Sequence, residues 1–231
     1  METMRPNHAR AIAGLHARCI ATGFLSTLGE PFLARLYQAI ANDPQSIVLV
    51  SVSPDDTAGR TIALGNPPIA GFVAATRDTR AMYRRILRRH WFTFALLLLP
   101  RAFSPRVVKH ILETMTYARH PGHKAPQASK SKQAELLSIA VDPNARGAGI
   151  GRALVQELED WLSRRSENVD GMTREEPVAP YRVVTSAQDP VSNAFYDSCG
   201  FALVDTFRHH GNPMNVYHRK PRMLSRDTSV D

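Results

Sequence analysis

Hydrophobic residues recur at helical spacing twice near the start of the chain. The first set follows Arg5-Pro6, where Asn7 is expected to cap the helix, and consists of Ile12, Leu15, His16, Cys19 and Ile20. Gly23 interrupts this pattern. A second helix opens at Glu30-Pro31, with proline suited to a first helical turn, and carries Leu33, Leu36, Tyr37 and Ile40 on one face.

The middle of the chain changes from strand to helix patterning. Residues 47–52 and 69–75 are apolar runs typical of strands and are separated by a turn-rich stretch, which predicts an antiparallel pair with a long connection. From Thr79 to about Ala118 the pattern is helical and basic, with a break at Pro100 and a polar loop at about 119–133. Six residues are expected to share the apolar face of the first helix: Tyr83, Ile86, Leu87, His90, Trp91 and Phe94.

The last third alternates strands and helices. Predicted strands cover 135–141, 182–187, 201–207 and 214–218, the last two flanking a turn at Gly211-Asn212-Pro213. Predicted helices run from Gly149 to about Arg165 and from Asp189-Pro190 to Gly200. The pattern predicts an α/β (α+β) fold in one domain over 1–219, with an inserted helical segment at about 79–119 and a disordered tail at 220–231.

Composition places the chain among globular proteins. Of 231 residues, 43% are hydrophobic and 22% are charged. Cys19 and Cys199 are the only cysteines, which suits a reducing compartment, and we interpret both as core residues. The N-terminus has no apolar run before a cleavage site, so no signal peptide is expected. The longest apolar stretch, Trp91–Leu99, is much shorter than the roughly 20 residues of a membrane-spanning helix. We therefore expect a cytoplasmic protein.

The net charge of +8 is concentrated in the inserted segment. Between Arg80 and Arg119 there are nine Lys/Arg residues and one acid, Glu113. Such a patch fits an anionic partner, namely a phosphorylated ligand, an acidic membrane surface or nucleic acid, or it is simply a solvated helix face. Nucleic acid is not expected, because the aromatic residues fall on the predicted apolar face and not among the arginines. A homodimer is compatible with the sequence.

A glycine-rich loop follows the strand at 135–141. Arg146-Gly147-Ala148-Gly149-Ile150-Gly151 leads into a helix, whose first N–H groups lack internal partners and carry the positive end of the helix dipole. Glycines allow a bulky anion to reach those amides. No Gly-Lys-Ser/Thr follows, which excludes a P-loop, and the glycine spacing does not fit the dinucleotide fingerprint.

The pattern that does fit is Arg/Gln-x-x-Gly-x-Gly/Ala, matched by Arg146, Gly149 and Gly151. Together with the Phe195-Tyr196 and Gly200-Phe201 pairs downstream, it resembles the GNAT superfamily of acyl-CoA N-acetyltransferases, and the order of elements agrees along nearly the whole chain. The resemblance implies a mostly antiparallel twisted sheet with a V-shaped splay between its fourth and fifth strands.

The resemblance also implies where acetyl-CoA binds. The pantetheine arm would pair with the backbone of Ile139, Ala140 and Val141, and an N–H near Ile139 or Ala140 would polarise the thioester carbonyl. The pyrophosphate would meet the loop and the first helical residues: Arg146, Gly147, Ala148, Gly149, Ile150, Gly151 and Arg152.

Two residues are candidates for proton transfer. An alkylamine has a pKa of about 10.4, so attack on a thioester benefits from a base. Glu135, eleven residues before Arg146, is our candidate, similar in spacing to the base of histone-acetylating family members; the alternative is an ordinary salt bridge. Tyr196 matches the family tyrosine that protonates the leaving thiolate; the alternative is a core aromatic.

One position departs from the family pattern, and no metal site is expected. Where family members frequently carry Asn, seven residues before Tyr196, this chain has Asp189, which with Pro190 fits a helix N-cap. Asn193 is our weaker candidate for the missing amide. His120 and His123 have no Cys or acid cluster to complete a metal site.

The acceptor is predicted from resemblance alone. Residues 23–37 and 134–141 resemble family members encoded among bacterial cell-surface polysaccharide genes, which implies an amino sugar, nucleotide-linked or free, or a similar small amine. Two alternatives stay open: a peptide or protein N-acetyltransferase, and a module that binds acetyl-CoA without turnover.

Overall fold

The computed structural model describes residues 1–20, 24–52, 68–99, 133–163, 180–209 and 211–220. The predicted interruption at Gly23, the helix predicted at 104–118, the loop at 119–132 and the tail at 221–231 lie outside the described residues.

A seven-stranded sheet forms the centre of the molecule. Its strands are β1 (Glu2–Thr3), β2 (Ser46–Val52), β3 (Ile69–Thr76), β4 (Glu135–Val141), β5 (Tyr181–Ser186), β6 (Ala202–His209) and β7 (Asn212–Arg219). They lie in the order β1-β2-β3-β4-β5-β7-β6. Every neighbouring pair is antiparallel except β4 and β5, which are parallel. The predicted mixed, mostly antiparallel fold is confirmed.

The described helices cover both faces of this sheet. They are α1 (Ala9–Cys19), α2 (Phe24–Thr27), α3 (Glu30–Ala41), α4 (Thr79–Leu98), α5 (Ile150–Ser163) and α6 (Pro190–Ser198). Asp78 caps α4 by accepting a hydrogen bond from the Ala81 N–H at 2.8 Å. Asp189 caps α6 with Pro190 in its first turn, as predicted.

The predicted cap of α1 was wrong. Asn7 lies inside a short 3-10 turn, Pro6–His8, which precedes the helix, and His8 occupies the N-cap position. Pro6 fixes a backbone angle suited to such a turn, so the chain begins to coil before the residue that we expected to cap the helix.

Two hydrophobic cores result from the alternation of side chains along the strands. On one face, strand residues including Phe72 and Ala74 pack with Leu33 and Tyr37 of α3, and α1 and α4 join this core. On the other face, Val73 and Ala75 pack with residues of α5 such as Leu154 and Leu158, together with α6. Full burial of a leucine stabilises a fold by about 1.5–3 kcal/mol. These cores hold the neighbouring β4 strand in place from both sides.

The predicted apolar face of α4 was partly wrong. Ile86 and Phe94 are buried as expected, together with Met82, but Tyr83, Leu87 and Trp91 are 48%, 45% and 64% exposed. Helical periodicity identifies apolar positions without identifying the neighbours that cover them. α4 carries a wider apolar surface than its contact with the core uses.

The predicted turn between the last two strands was too long. β7 already begins at Asn212, and Pro213 pairs with Arg208 of β6. Gly211, with a φ of 81°, makes the reversal.

No helix among the described residues has both the length and the apolar character that crossing a membrane requires.

Candidate functional site

A wedge-shaped cleft separates the two parallel strands. β4 and β5 pair only at Glu135 with Arg182 and at Leu136 with Val183, although β4 continues to Val141 and β5 to Ser186. By contrast, β5 pairs with β7 along its whole length. The strands therefore part after two residues and leave open backbone at their carboxyl ends, where ligands of open α/β sheets bind.

A β-bulge lies where β4 leaves β5. Ala74 of β3 pairs with Ser138 and Ala75 pairs with Leu136, so Leu137 has no partner on β3. A bulge bends its strand and increases the local twist. Leu137 is thus the local cause of the divergence, and no sequence signal distinguished it.

The hydrogen-bond ladder determines which backbone groups of β4 face the cleft. The Asp142 N–H donates to the carbonyl of Ala70, which belongs to β3, at 2.8 Å. Because alternate residues of a strand direct their backbone groups to the same side, Ala140 also faces β3 whereas Ile139 and Val141 face the cleft. Of the two candidate amides, this geometry favours Ile139.

The glycine loop is shaped to leave its amides accessible. Gly147 and Gly149 have φ angles of 83° and 77°, and a Cβ built on either would meet nothing within 4 Å. Helix α5 begins immediately afterwards, at Ile150. Among the described residues, the backbone N–H groups from Gly147 to Arg152 donate to no protein acceptor. These groups and the open space beside them fit an anion of the size of a diphosphate.

Gly151 differs from the other two glycines because it lies at a close contact between two helices. A Cβ at this position would lie 2.9 Å from Cε2 of Phe195 on α6. The absence of a side chain therefore allows the start of α5 to approach α6 closely. This packing fixes the direction of the α5 amides relative to the cleft.

Arg146 and Arg152 lie at the rim of the loop, and both are exposed. Arg146 Nε donates to the carbonyl of Val141 at 3.3 Å, and its Nη2 lies 3.9 Å from Sγ of Cys19. The guanidinium thus bridges the end of β4 and the end of α1, beside the mouth of the cleft.

Tyr196 is buried on α6 among other aromatic rings. Its ring centroid lies 5.5 Å from Phe195, 5.4 Å from Phe201 and 5.8 Å from Tyr217. Its hydroxyl has no hydrogen-bond partner among the described residues. The hydroxyl oxygen is not fully buried, since it is absent from their fully buried polar atoms without a partner. Burial raises the pKa of Tyr196 above its usual range, so the phenol keeps its proton at neutral pH.

Glu135 lies at the closed end of the wedge. Its Oε2 accepts hydrogen bonds from Arg182 Nε and Nη2 at 3.0 and 2.8 Å and from Thr79 Oγ1 at 2.9 Å. The side chain is 14% exposed. Protonation of this carboxylate would weaken its ion pair with Arg182, and neither of its partners was anticipated from the sequence.

Asn193 is committed to structural contacts. Its Nδ2 donates to the carbonyls of Ser186 and Asp189 at 2.9 and 2.5 Å, and its Oδ1 accepts from Asn215 and from Tyr217. Both amide hydrogens are therefore already used. Asn193 joins α6 to the ends of β5 and β7, and it has no free hydrogen to offer a cofactor.

A buried polar chain that sequence reasoning missed reaches β4 from the opposite side. Ser138 Oγ lies 2.8 Å from the Tyr37 hydroxyl, which lies 2.6 Å from His16 Nδ1. His16 is 2% exposed, and its Nε2 has no partner among the described residues. Burial lowers the pKa of His16 to about 4, so the imidazole is neutral at pH 7.

This pKa predicts an acid-sensitive fold. The unfolded chain binds the His16 proton near pH 6.5, and the folded chain binds it only near pH 4. Between these values the unfolded state holds more protons, so the free energy of unfolding falls as the pH decreases, by roughly 3 kcal/mol in total. Urea unfolding from pH 7 to 4 measures this loss, and the free energy of unfolding of His16→Gln should depend less on pH. Equal pH dependence in both proteins would contradict the assignment to His16.

No three His, Cys, Asp or Glu side chains gather as a metal site in the part of the chain that the structure describes. His120 and His123, where no metal was expected, lie outside that part.

One family model covers the part of the chain that contains the cleft. Residues 108–203 match the family model described as the acetyltransferase (GNAT) domain. This segment contains the whole cleft, from β4 through the glycine loop and α5 to Tyr196. No curated protein sequence matches the chain.

Solved structures share the fold at low identity. The ribosomal-protein-S18-alanine N-acetyltransferase from Escherichia coli is similar at a TM-score of 0.52 and 14% identity, covering 99% of this chain and 97% of that chain. Arabidopsis thaliana NAA60 in complex with acetyl-CoA gives 0.52 and 13%, over 94% and 96%. An N-acetyltransferase from Staphylococcus aureus Mu50 gives 0.54 and 13%, over 94% and 98%. At these identities the likeness shows the fold alone.

Proposed function

We propose that the chain is a GNAT N-acetyltransferase that takes acetyl-CoA as its co-substrate and transfers the acetyl group to the primary amine of a small acceptor, in line with the family model that residues 108–203 match. The observation that carries the proposal is the unpaired row of amides from Gly147 to Arg152 at the mouth of a cleft between two parallel strands. When bound there, acetyl-CoA supplies the acetyl group as a thioester.

The donor is held by backbone groups along the cleft. The loop amides and the start of α5 bind the diphosphate, with Arg146 and Arg152 adding positive charge. Residues Ile139 and Val141 present their backbone groups to the pantetheine arm. The Ile139 N–H donates to the thioester carbonyl oxygen and stabilises the negative charge that develops there.

Two proton transfers accompany the exchange of bonds. The amine nitrogen forms a bond to the acetyl carbon, the carbon–sulfur bond breaks, and the amine loses one proton. Tyr196 donates its hydroxyl proton to the leaving thiolate, a role supported by a hydroxyl that has no hydrogen-bond partner among the described residues. Glu135 accepts the amine proton, directly or through a water.

The role of Glu135 is separable from its ion pair. In Glu135→Gln the amide still accepts from Thr79 and Arg182 but cannot take up a proton. We expect kcat to fall at least 100-fold while the affinity for coenzyme A is unchanged, because general-base catalysis contributes about 10²–10⁴-fold. Steady-state rates from pH 6 to 9 check this, with Arg182→Gln as the control that breaks the ion pair and spares the carboxylate. A fall in stability with kcat intact would assign Glu135 to structure alone.

The acceptor class rests on the resemblance to enzymes of polysaccharide genes, and an amino sugar, free or nucleotide-linked, is our first choice. The test is release of free thiol from acetyl-CoA against amino sugars, nucleotide-linked amino sugars, simple amines and peptides with free N-termini.

We expect amino sugars to release thiol well above the hydrolytic background. If only peptides were acetylated, the proposed acceptor would be a peptide or protein and not an amino sugar. Coenzyme A binding without turnover on any acceptor would leave a binding module and contradict the proposed catalysis.

Two expectations about partners accompany this proposal. Nucleic acid should not bind, which an electrophoretic shift assay at low salt checks. A homodimer is compatible with the sequence, and sedimentation equilibrium distinguishes it from a monomer.

A further inference from the structure

Helix α4 exposes an unusual number of large apolar side chains. Beyond Tyr83, Leu87 and Trp91, both Phe92 and Leu96 are exposed, at 66% and 59%. Leu99, which follows the helix, is also 59% exposed. Exposed apolar patches of this kind mark surfaces that bind a partner, since leaving them in water is unfavourable.

Two contacts attach α4 firmly to the protein. Phe94 packs against Phe32 of α3 with ring centroids 5.0 Å apart. The Arg85 guanidinium forms an ion pair with the buried Asp43. The exposed surface is therefore presented by an anchored helix.

Arginines are grouped at the start of the same helix. Arg80, Arg84, Arg88 and Arg89 are exposed, and none of them has an ion-pair partner among the described residues. The first half of α4 thus offers uncompensated positive charge, and the second half offers Trp91, Phe92 and Leu96. A helix with arginines beside exposed tryptophan, phenylalanine and leucine has the composition of one that lies in a membrane interface.

Other occupants explain less of this surface. A nucleotide or a nucleic acid would account for the arginines but not for Leu96 and Leu99, which have no stacking function. A second copy meeting the same surface across a two-fold axis would bring like charges together if the helices were parallel, and would set the arginines against apolar side chains without a charged partner if they were antiparallel.

We propose that α4 docks the protein on an anionic membrane surface, with the arginines on lipid phosphates and the apolar side chains of its second half inserted at the level of the headgroups. This inference does not depend on the acetyl acceptor, because it rests on surface residues outside the cleft.

Tryptophan fluorescence tests the docking directly. The chain contains two tryptophans, and Trp161 is stacked under the Arg77 guanidinium, 3.9 Å from its ring centroid. In a Trp161→Phe background, Trp91 is the sole reporter. We expect its emission to move to shorter wavelength with vesicles of phosphatidylglycerol and phosphatidylcholine, to stay unchanged with pure phosphatidylcholine, and to revert at high salt.

Matched variants separate charge from insertion. Arg84→Gln/Arg88→Gln should weaken binding to anionic vesicles by about 30-fold, from roughly 1 kcal/mol per basic residue near such a surface. The control Arg10→Gln/Arg208→Gln removes two exposed arginines from α1 and β6 and should bind as the parent does. Phe92→Ser/Leu96→Ser should weaken vesicle binding at least tenfold and keep the affinity for coenzyme A.

Several results would overturn the proposal. The first two are a lack of binding to anionic vesicles and equal binding to neutral and anionic vesicles. The third is Trp91 emission that is already at short wavelength and does not change with lipid, which would show that another part of the chain covers the surface. A mass in sedimentation that doubles for the parent and not for Phe92→Ser/Leu96→Ser would assign the surface to a second copy.

Discussion

Replacing Tyr196 by phenylalanine should lower kcat by about 100-fold and leave coenzyme A affinity unchanged. The substitution removes one hydroxyl that has no hydrogen-bond partner among the described residues and keeps the ring that packs against Phe195, Phe201 and Tyr217. The expected loss is the lower end of the 10²–10⁴-fold contribution of general-acid catalysis. Steady-state kinetics with an acceptor that the parent protein acetylates measures the loss of kcat, and calorimetry measures the affinity for coenzyme A.

Tyr217→Phe is the matched control in the same aromatic cluster. The Tyr217 hydroxyl donates to Asn193 Oδ1 at 2.9 Å, so its removal costs about 1 kcal/mol of stability and should spare kcat. If both variants lose activity equally, or if Tyr196→Phe keeps full activity, Tyr196 is a core aromatic and not the acid.

Replacing Glu159 by alanine should destabilise the protein by about 3–5 kcal/mol. Glu159 on α5 is 5% exposed, and its carboxylate pairs with Arg219 of β7 and accepts from the Tyr181 hydroxyl of β5 at 3.0 Å. Removing it leaves a partly buried guanidinium and a buried hydroxyl without their partner, which costs more than the pair itself contributes. The free energy of urea unfolding measures the loss.

Two further variants test whether the effect comes from the pair. Glu157→Ala, an exposed neighbour on the same helix, should change stability by no more than about 0.5 kcal/mol. Glu159→Leu/Arg219→Leu should recover part of the loss, because apolar residues can replace a buried ion pair. A small effect of Glu159→Ala would show that α5 does not depend on this contact for its position above the cleft.

Features of the site that depend on neighbouring residues in the chain were predictable. Strand β4 has the predicted bounds, and Asp189 with Pro190 begins α6 as expected. Gly147 and Gly149 of the loop adopt the positive φ angles that favour glycine. In each case the cause lies within a few residues of the effect.

Features that depend on distant pairing were not predictable. The bulge at Leu137 arises from the register of β4 against β3, and Arg182 reaches Glu135 only because β5 lies beside β4. The chain from Ser138 through Tyr37 to His16 joins three separate elements. The exposed side of α4 was misjudged for the same reason, since apolar spacing does not show which element covers a helix.

The most direct test of the account is calorimetric titration of coenzyme A into the protein and into Gly149→Val. A β-branched residue at a φ of 77° is strained and places its side chain where the diphosphate approaches the α5 amides. Gly211→Val is the control, because Gly211 has a similar φ of 81° and equally open surroundings but lies in the β6–β7 turn. We predict that the parent and Gly211→Val bind coenzyme A alike and that Gly149→Val binds at least tenfold more weakly. Absence of binding to the parent, or equal binding by all three proteins, would contradict the central claim.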